Sequence, residues 1–199
     1  DELSADAPVI LVANEFFDAL PVRQAIKGAR GWHERVIGEI DGALALGAAP
    51  ALLNEALIQE PLRDAPQGSV VEFAPARDAA TTALARRIST QGGAALIVDY
   101  GYEGPKPGET FQAMRAHAFA NPLDNPGDAD LTAHVDFAAL KRAATGLPVF
   151  GPIRQGEFLS RLGLHERAAR LKAKAQPAQA AEIEAAAHRQ HREERGRRR

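Results

Sequence analysis

The feature that most constrains the fold is an apolar run near the start of the chain that ends in a polar and aromatic cluster. Residues 9–13 read Val-Ile-Leu-Val-Ala, and Asn14, Glu15, two phenylalanines and Asp18 follow directly. An apolar run of this length predicts a strand buried on both faces of a parallel sheet. Open α/β sheets bind ligands at the carboxyl ends of their strands. The run therefore predicts an α/β fold with a ligand site that begins at Asn14.

Two interpretations of this cluster are open. Asn and Asp side chains often satisfy the hydrogen bonds of a turn, so Asn14 and Asp18 could serve only the turn after the strand. Phe16 and Phe17 favour a ligand site, because two aromatic rings would shield it from water and a simple turn has little need of them.

The remaining pattern predicts a small antiparallel insertion followed by alternating strands and helices. Asp41-Gly42 is a strong hairpin signal within the insertion at residues 22–50. A strand at 69–73, a helix at 76–90 and a strand at 95–99 predict one crossover unit of a parallel sheet. The further predicted elements are a helix at 51–59, a strand at 110–117, a helix from Thr132 or His134 to Ala144, a strand at 149–153, and helices at 156–162, 164–174 and from Pro177 onward.

Three sequence blocks resemble one known family. They are residues 14–24, then Asp99-Tyr100-Gly101-Tyr102 with 108–113 and His117, and finally Pro126-Gly127 with 130–137. In this order they resemble the MidA family of S-adenosylmethionine-dependent methyltransferases, which includes the mitochondrial protein-arginine methyltransferase that assists assembly of respiratory complex I. The resemblance extends over residues 8–183.

The resemblance implies an α/β fold, the C-terminal part of a class I, Rossmann-like methyltransferase sheet with a helical C-terminal region. It implies a methyltransferase domain over residues 1–183, which contains the antiparallel insertion predicted at 22–50. The Arg-rich tail at 184–199 departs from the family, whose members end in a short strand. The implied cofactor is S-adenosylmethionine. The implied partner is a protein substrate methylated on arginine, with a complex I subunit as the candidate.

One family element is absent from the sequence. The family holds its cofactor with a glycine-rich turn after a strand, and no Gly-x-Gly element occurs in these 199 residues. We therefore expect the chain alone to bind the cofactor weakly or not at all. Two alternatives stay open: the chain works with a separate cofactor-binding half or as a homo-oligomer, or it is a non-catalytic interaction module. An unrelated α/β hydrolase or dehydrogenase is disfavoured, since neither a Gly-x-Ser-x-Gly elbow nor a dinucleotide fingerprint occurs.

Methyl transfer to arginine suggests roles for the site residues. Carboxylates bind the planar, charged guanidinium well and can accept its proton, so Glu15 and Asp18 are the predicted catalytic residues. Asn14 and Phe16 are predicted to contact the cofactor. The predicted substrate-binding residues are Phe17, Asp99, Tyr100, Gln112, His117, His134 and Asp136. For Asp99, a purely local role in capping a loop is equally open, and no metal site is predicted.

Charge and composition limit the partners and the compartment. Residues 188–199 carry a net charge of +4, which leaves −6 for the rest of the chain. An acidic body argues against nucleic acid as the main partner. No apolar stretch approaches a membrane span, and the absence of cysteine excludes disulfides and thiolate metal sites. The resemblance implies the cytoplasm of a bacterium, or the mitochondrial matrix of a eukaryote.

Overall fold

The computed structural model describes residues 7–192, with side chains described through residue 187. The described residues divide into two units, residues 7–149 and residues 150–192. None of the described helices combines the length and the apolar character needed to cross a membrane.

The first unit holds the strands and two α-helices. Its strands are β1 (Val9–Asn14), β2 (Arg23–Gly28), β3 (Gly31–Ile40), β4 (Ala43–Leu52), β5 (Val70–Phe73), β6 (Gly93–Val98), β7 (Gly101–Tyr102), β8 (Gln112–Arg115), β9 (Ala118–Ala120), β10 (Asp130–Thr132) and β11 (Val135–Asp136). Its helices are α1 (Pro75–Gln91) and α2 (Phe137–Ala143), with 3-10 turns at Glu55–Leu57 and Glu60–Leu62. The second unit contains α3 (Gln155–Arg161), α4 (Leu164–Lys172) and α5 (Pro177–Arg192).

Strands β1 and β6 form a parallel pair that sets the position of the predicted site. Asn14 lies opposite Val98, so the carboxyl ends of the two strands are adjacent, as predicted. The pair starts at a very close approach: a Cβ on Gly93 would lie 2.0 Å from the carbonyl oxygen of Val9, so only glycine fits there. The α/β fold class is confirmed.

The prediction that β1 is buried on both faces is wrong for the described residues. Ala13 lies in a core with Phe17, Val135 and Leu140, against which Ala80 of α1 packs. Ile10 and Val12, which point to the opposite face, are 86% and 67% exposed. The reason is that α1 and α2 cover one face only, and within residues 7–149 nothing covers the other.

The antiparallel insertion is larger than predicted. Four strands form one sheet in the order β4-β3-β2-β5. The predicted crossover unit is therefore wrong, since β5 pairs antiparallel with β2 and not with the parallel pair. Val71 of β5 is held in this sheet by a separate core that includes Ala25, Trp32 and Ile58. The predicted helix at 51–59 is also wrong, because β4 continues to Leu52 and only a 3-10 turn follows.

Three other predicted boundaries are corrected by local geometry. The strand at 110–117 is shortened to β8, because Ala116 and His117 adopt positive φ angles of 49° and 63° in a hairpin turn. The helix expected from Thr132 or His134 starts at Phe137, where the Asp136 carboxylate caps the first turn. No strand forms at 149–153, where Gly151 has a φ of 93° and Pro152 has no N–H to donate to a ladder.

The second unit is helical, as predicted. Gly163 adopts a left-handed conformation with a φ of 88° between α3 and α4. The Lys172 ammonium group lies 2.7 Å from the Glu184 carboxylate, which joins α4 to α5. Helix α5 runs into the segment predicted as an Arg-rich tail, and residues 193–199 of that tail lie outside the described residues.

Candidate active site

The loop after β1 turns sharply and separates exposed from buried side chains. Glu15 adopts a φ of 49°, and its N–H donates to the carbonyl oxygen of Val98 at 2.9 Å. Asn14, Glu15 and Phe16 are exposed, whereas Phe17 and Asp18 are 2% and 7% exposed. The loop therefore presents a carboxamide, a carboxylate and an aromatic ring to solvent, with Phe17 in the core beneath them.

Asp99, at the end of β6, holds this loop in place. Its Oδ2 accepts hydrogen bonds from the N–H groups of Phe17 at 2.9 Å and Asp18 at 3.2 Å. Its Oδ1 accepts from the N–H of Tyr100 at 2.8 Å. Asp99 thus uses both carboxylate oxygens to bind backbone N–H groups. It lies at the strand ends where the site was predicted, and it also caps the loop, which was the alternative role.

Asp18 and Asp99 lie close together, and burial disfavours the charged form of both carboxyl groups. Burial raises the pKa of Asp18, and the charge of Glu15 adds to this effect, while the backbone N–H of Ala19 and the Arg77 guanidinium oppose it. Burial also raises the pKa of Asp99, and the charge of Asp18 raises it further. Among the described groups, Asp18 Oδ1 is buried without a hydrogen-bond partner. A cation that approached this edge would relieve the repulsion among these carboxylates.

Arg77, near the start of α1, is a key residue that the sequence analysis missed. Its side chain is buried, and its guanidinium donates to three backbone carbonyl oxygens: His134 at 2.7 Å, Ala133 at 2.8 Å and Asp18 at 3.1 Å. Burial lowers its pKa, while the charges of Asp99 and Glu72 raise it. A sequence signal did exist, because a cation in the first turn of a helix opposes the helix dipole and needs compensation elsewhere.

Glu72 of β5 fastens the antiparallel sheet to the loop before β8. Its carboxylate accepts from Gln24 Nε2 at 2.9 Å, from the N–H of Thr110 at 3.0 Å and from the N–H of Phe111 at 3.2 Å. The Thr110 hydroxyl donates to the same carboxylate and accepts from the N–H of His134 at 2.8 Å. The loops before β8 and β11 are therefore joined to β5 of the antiparallel sheet through partly buried hydrogen bonds.

The other predicted substrate residues have varied positions. Gln112 donates from Nε2 to the Thr132 hydroxyl at 3.2 Å, and the His134 backbone belongs to the network of Arg77 and Thr110. Asp136 caps α2 and accepts from Gln59 Nε2 at 3.1 Å. Tyr100 is 39% exposed beside Asp99.

The structure does not bring every predicted residue to one place. Asn14, Glu15, Asp18, Asp99 and Tyr100 come together at the adjacent ends of β1 and β6. His117 lies in the turn that joins β8 to β9, beyond the end of β8 opposite to Gln112. Within the described residues, no group of three or more His, Cys, Asp and Glu side chains could hold a metal ion.

Residues 1–153 match a family model described as "Putative S-adenosyl-L-methionine-dependent methyltransferase". The chain belongs to this family. The resemblance to MidA-type methyltransferases is thereby confirmed, and with it membership of a family whose cofactor is S-adenosylmethionine.

Relatives of this chain carry names that agree with a methyltransferase family. The chain is 39% identical over 163 residues to the protein arginine methyltransferase NDUFAF7, mitochondrial, of Xenopus tropicalis, covering 78% of this chain and 36% of that protein. For the human protein of that name the identity is 40% over 165 residues, with 78% of this chain and 35% of the relative covered. The chain thus spans little more than a third of these relatives.

Solved structures show the same fold. A Burkholderia thailandensis protein crystallised with bound S-adenosyl-homocysteine superposes with a TM-score of 0.74 at 28% identity, covering 92% of this chain and 48% of that chain. A native crystal structure of a protein of the same superfamily from this bacterium also has a TM-score of 0.74 and covers 94% of this chain.

Proposed function

We propose that residues 7–149 provide the methyl-acceptor side of a methyltransferase site and that the acceptor is an arginine side chain of a protein. One observation carries this proposal: the carboxylates of Glu15, Asp18 and Asp99 are concentrated at the adjacent ends of β1 and β6. Burial raises the pKa of Asp18 and Asp99 although Arg77 lies nearby, and the Arg77 guanidinium is committed to backbone carbonyl oxygens, so a further cation would stabilise these carboxylates. A guanidinium is always charged, and it satisfies several acceptors in one plane.

The three carboxylates have different roles because they differ in exposure to solvent. Glu15 is exposed and is the group positioned to contact an incoming guanidinium. Asp18 lies beneath it and contributes negative charge, and Asp99 fixes the backbone of both Phe17 and Asp18. When an arginine is methylated, a carbon–nitrogen bond forms, the carbon–sulfur bond breaks, and one proton leaves the guanidinium. A carboxylate in this cluster accepts that proton, and Glu15 can pass it to solvent.

The exposed residues fit part of the family cofactor. S-adenosylmethionine, when bound, supplies an electrophilic methyl group on a positively charged sulfur. The acidic strand ends suit that charge, and the exposed Asn14 carboxamide and Phe16 ring offer polar and stacking contacts. We assign the remaining cofactor contacts to the portion of the relatives' length that this chain does not match. The chain then acts with a cofactor-binding half.

The biological setting follows from the same proposal. The relatives named above are mitochondrial proteins. We propose a protein substrate from respiratory complex I, methylated in the bacterial cytoplasm or in the mitochondrial matrix. An interaction module without catalysis is the second candidate, and the exposed apolar residues Ile10 and Val12 favour it because they offer a docking face.

Reconstitution tests the proposal. The chain is mixed with the segment of the Burkholderia thailandensis relative that it does not cover, and methyl transfer from labelled S-adenosylmethionine to arginine-rich and lysine-rich proteins is followed by mass spectrometry. We expect methylarginine only when both segments are present, and weak or no cofactor binding by this chain alone in isothermal titration. A stable complex that binds cofactor but transfers no methyl group would favour the interaction module.

A further inference from the structure

The β3–β4 hairpin has an exposed, uncharged edge. Strand β4 contains no charged residue along its whole length, Ala43–Leu52, and no other strand of the described chain pairs with its outer side. Leu44 and Leu46 are 41% and 36% exposed, and Ile37 beside Leu46 is 54% exposed. Proteins normally protect such an edge with charges or prolines, because it can pair with another chain. Here Pro50 is the one residue of that kind, so residues 43–48 remain available.

The hairpin turn determines which backbone groups face outward. Asp41 and Gly42 have φ angles of 51° and 79°, as in a two-residue type I′ turn, and Ile40 lies opposite Ala43. The pair that closes such a turn exchanges both hydrogen bonds, and bonded pairs then alternate with non-bonded pairs along the ladder. The N–H and C=O groups of Leu44, Leu46 and Ala48 therefore point away from β3.

We propose that this edge pairs with the same edge of a second copy of the chain, antiparallel about a two-fold axis at Leu46. Leu46 then lies opposite the second copy's Leu46, and Leu44 lies opposite the second copy's Ala48. All three outward residues find partners, and two four-stranded sheets join into one sheet of eight strands. An isologous contact of this kind is closed, so it stops at the dimer.

Side chains on the same face support this register. The central row across the joined sheet contains Ile37, Leu46 and the same two residues of the second copy, which gives a continuous apolar strip. The next row begins with Glu39, which is paired with Leu44, and crosses the interface to the second copy's Ala48 and Arg35, which are paired with each other. In the second copy this row continues from Arg35 to Gln24 and Glu72, and Arg35 also forms an ion pair with Glu109 of its own copy. The nearest charges across the interface, Glu39 and the second copy's Arg35, are opposite in sign.

The same features favour a second copy over an extended peptide from another protein. The edge is self-complementary in hydrogen bonding, and the nearest charges behind it, Glu39 and the second copy's Arg35 on the β3 strands, are opposite in sign. An arginine-bearing peptide would find only Glu39 as a counter-charge among the residues paired from 36 to 40. Six paired residues span about 20 Å, which predicts a small and reversible interface.

Cysteine cross-linking tests both the pairing and its register. The chain has no cysteine, so each introduced thiol is unique. Leu46→Cys should form a disulfide-linked dimer under mild oxidation. Leu44→Cys and Ala48→Cys should cross-link only when the two variants are mixed, because identical positions would lie about 13 Å apart along the strands, beyond disulfide reach. Ile40→Cys, exposed on the same hairpin, should not cross-link. Cross-linking of Leu44→Cys with itself would overturn the register.

Sedimentation of the full chain measures the dimer itself. We expect a concentration-dependent dimer that Leu46→Lys weakens at least about tenfold, since two lysines would face each other. Ile10→Lys, on the exposed face of β1, is the control and should leave the dimer intact. A monomer at all concentrations, or a dimer lost in Ile10→Lys but kept in Leu46→Lys, would overturn the proposal.

Discussion

Arg77 and Asp18 meet through the backbone and not through an ion pair of side chains. Arg77 Nη2 donates to the carbonyl oxygen of Asp18 at 3.1 Å, whereas Arg77 Nε and Asp18 Oδ1 are both buried without a hydrogen-bond partner among the described residues. The arginine is committed to fixing three carbonyl groups. The Asp18 carboxylate consequently keeps acceptor capacity at the centre of the acidic cluster.

We predict that Arg77→Lys destabilises the protein substantially. Lysine cannot bond three carbonyl oxygens with a planar fork, and at least one would lose its partner in a buried site. Hydrogen bonds to charged groups contribute about 1.5–3 kcal/mol each, so the expected loss in unfolding free energy is about 2–4 kcal/mol by urea denaturation. Arg86→Lys, on an exposed position of the same helix, should change it by less than about 0.5 kcal/mol. Equal effects of the two substitutions would contradict the role of Arg77 in fixing the three carbonyl groups.

Asp18 should make the protein less stable as the pH rises. Its pKa is raised by burial from an ordinary value of 3.8, so above that pH the folded state binds more protons than the unfolded state. The free energy of unfolding therefore falls as the pH increases through the folded pKa. Asp18→Asn removes this dependence, so it should gain stability relative to wild type as the pH rises above 3.8 and through the folded pKa.

Thermal or urea denaturation at several pH values gives the comparison. Asp41→Asn, in the exposed hairpin turn, is the matched control and should follow the wild-type profile. Parallel profiles for Asp18→Asn and wild type would show that burial does not penalise this carboxylate.

Glu72→Gln should loosen the loop before β8. The carboxylate accepts from Gln24, Thr110 and Phe111, and a glutamine would turn an NH2 group toward one of these donors. We expect a loss of about 1–3 kcal/mol in unfolding free energy and faster hydrogen exchange at the amides of Thr110 and Phe111. Glu39→Gln, exposed on β3, is the control. Unchanged hydrogen exchange at both amides would show that Glu72 does not hold the loop before β8.

The elements that were predicted correctly are those that depend on a few neighbouring residues. The apolar runs at 9–13 and 95–99 predicted β1 and β6, and Asp41-Gly42 predicted the β3–β4 turn. Polar residues at the ends of both runs correctly indicated that Asn14 and Asp99 would lie close together.

The errors come from contacts between distant parts of the chain. An apolar strand such as β5 can pair in either sheet, and the choice depends on the separate core around Trp32. The position of Arg77 in the first turn of α1 was a signal, but its carbonyl partners could not be predicted because they lie 56 to 59 residues away. The helix start at Phe137 depended on whether Asp136 would serve as a cap or face the cleft.

The central claim is that the acidic strand ends bind and deprotonate an arginine. The most direct test compares methyl transfer by Glu15→Gln, Asp18→Asn and Phe16→Leu in the reconstituted enzyme at saturating cofactor. Loss of one charge-assisted contact to the reacting group should lower the turnover of each charge-neutral variant about 30- to 1000-fold, and Phe16→Leu should cost less because it changes shape and not charge. Near wild-type turnover in both charge-neutral variants, with a large loss in Phe16→Leu, would contradict the account.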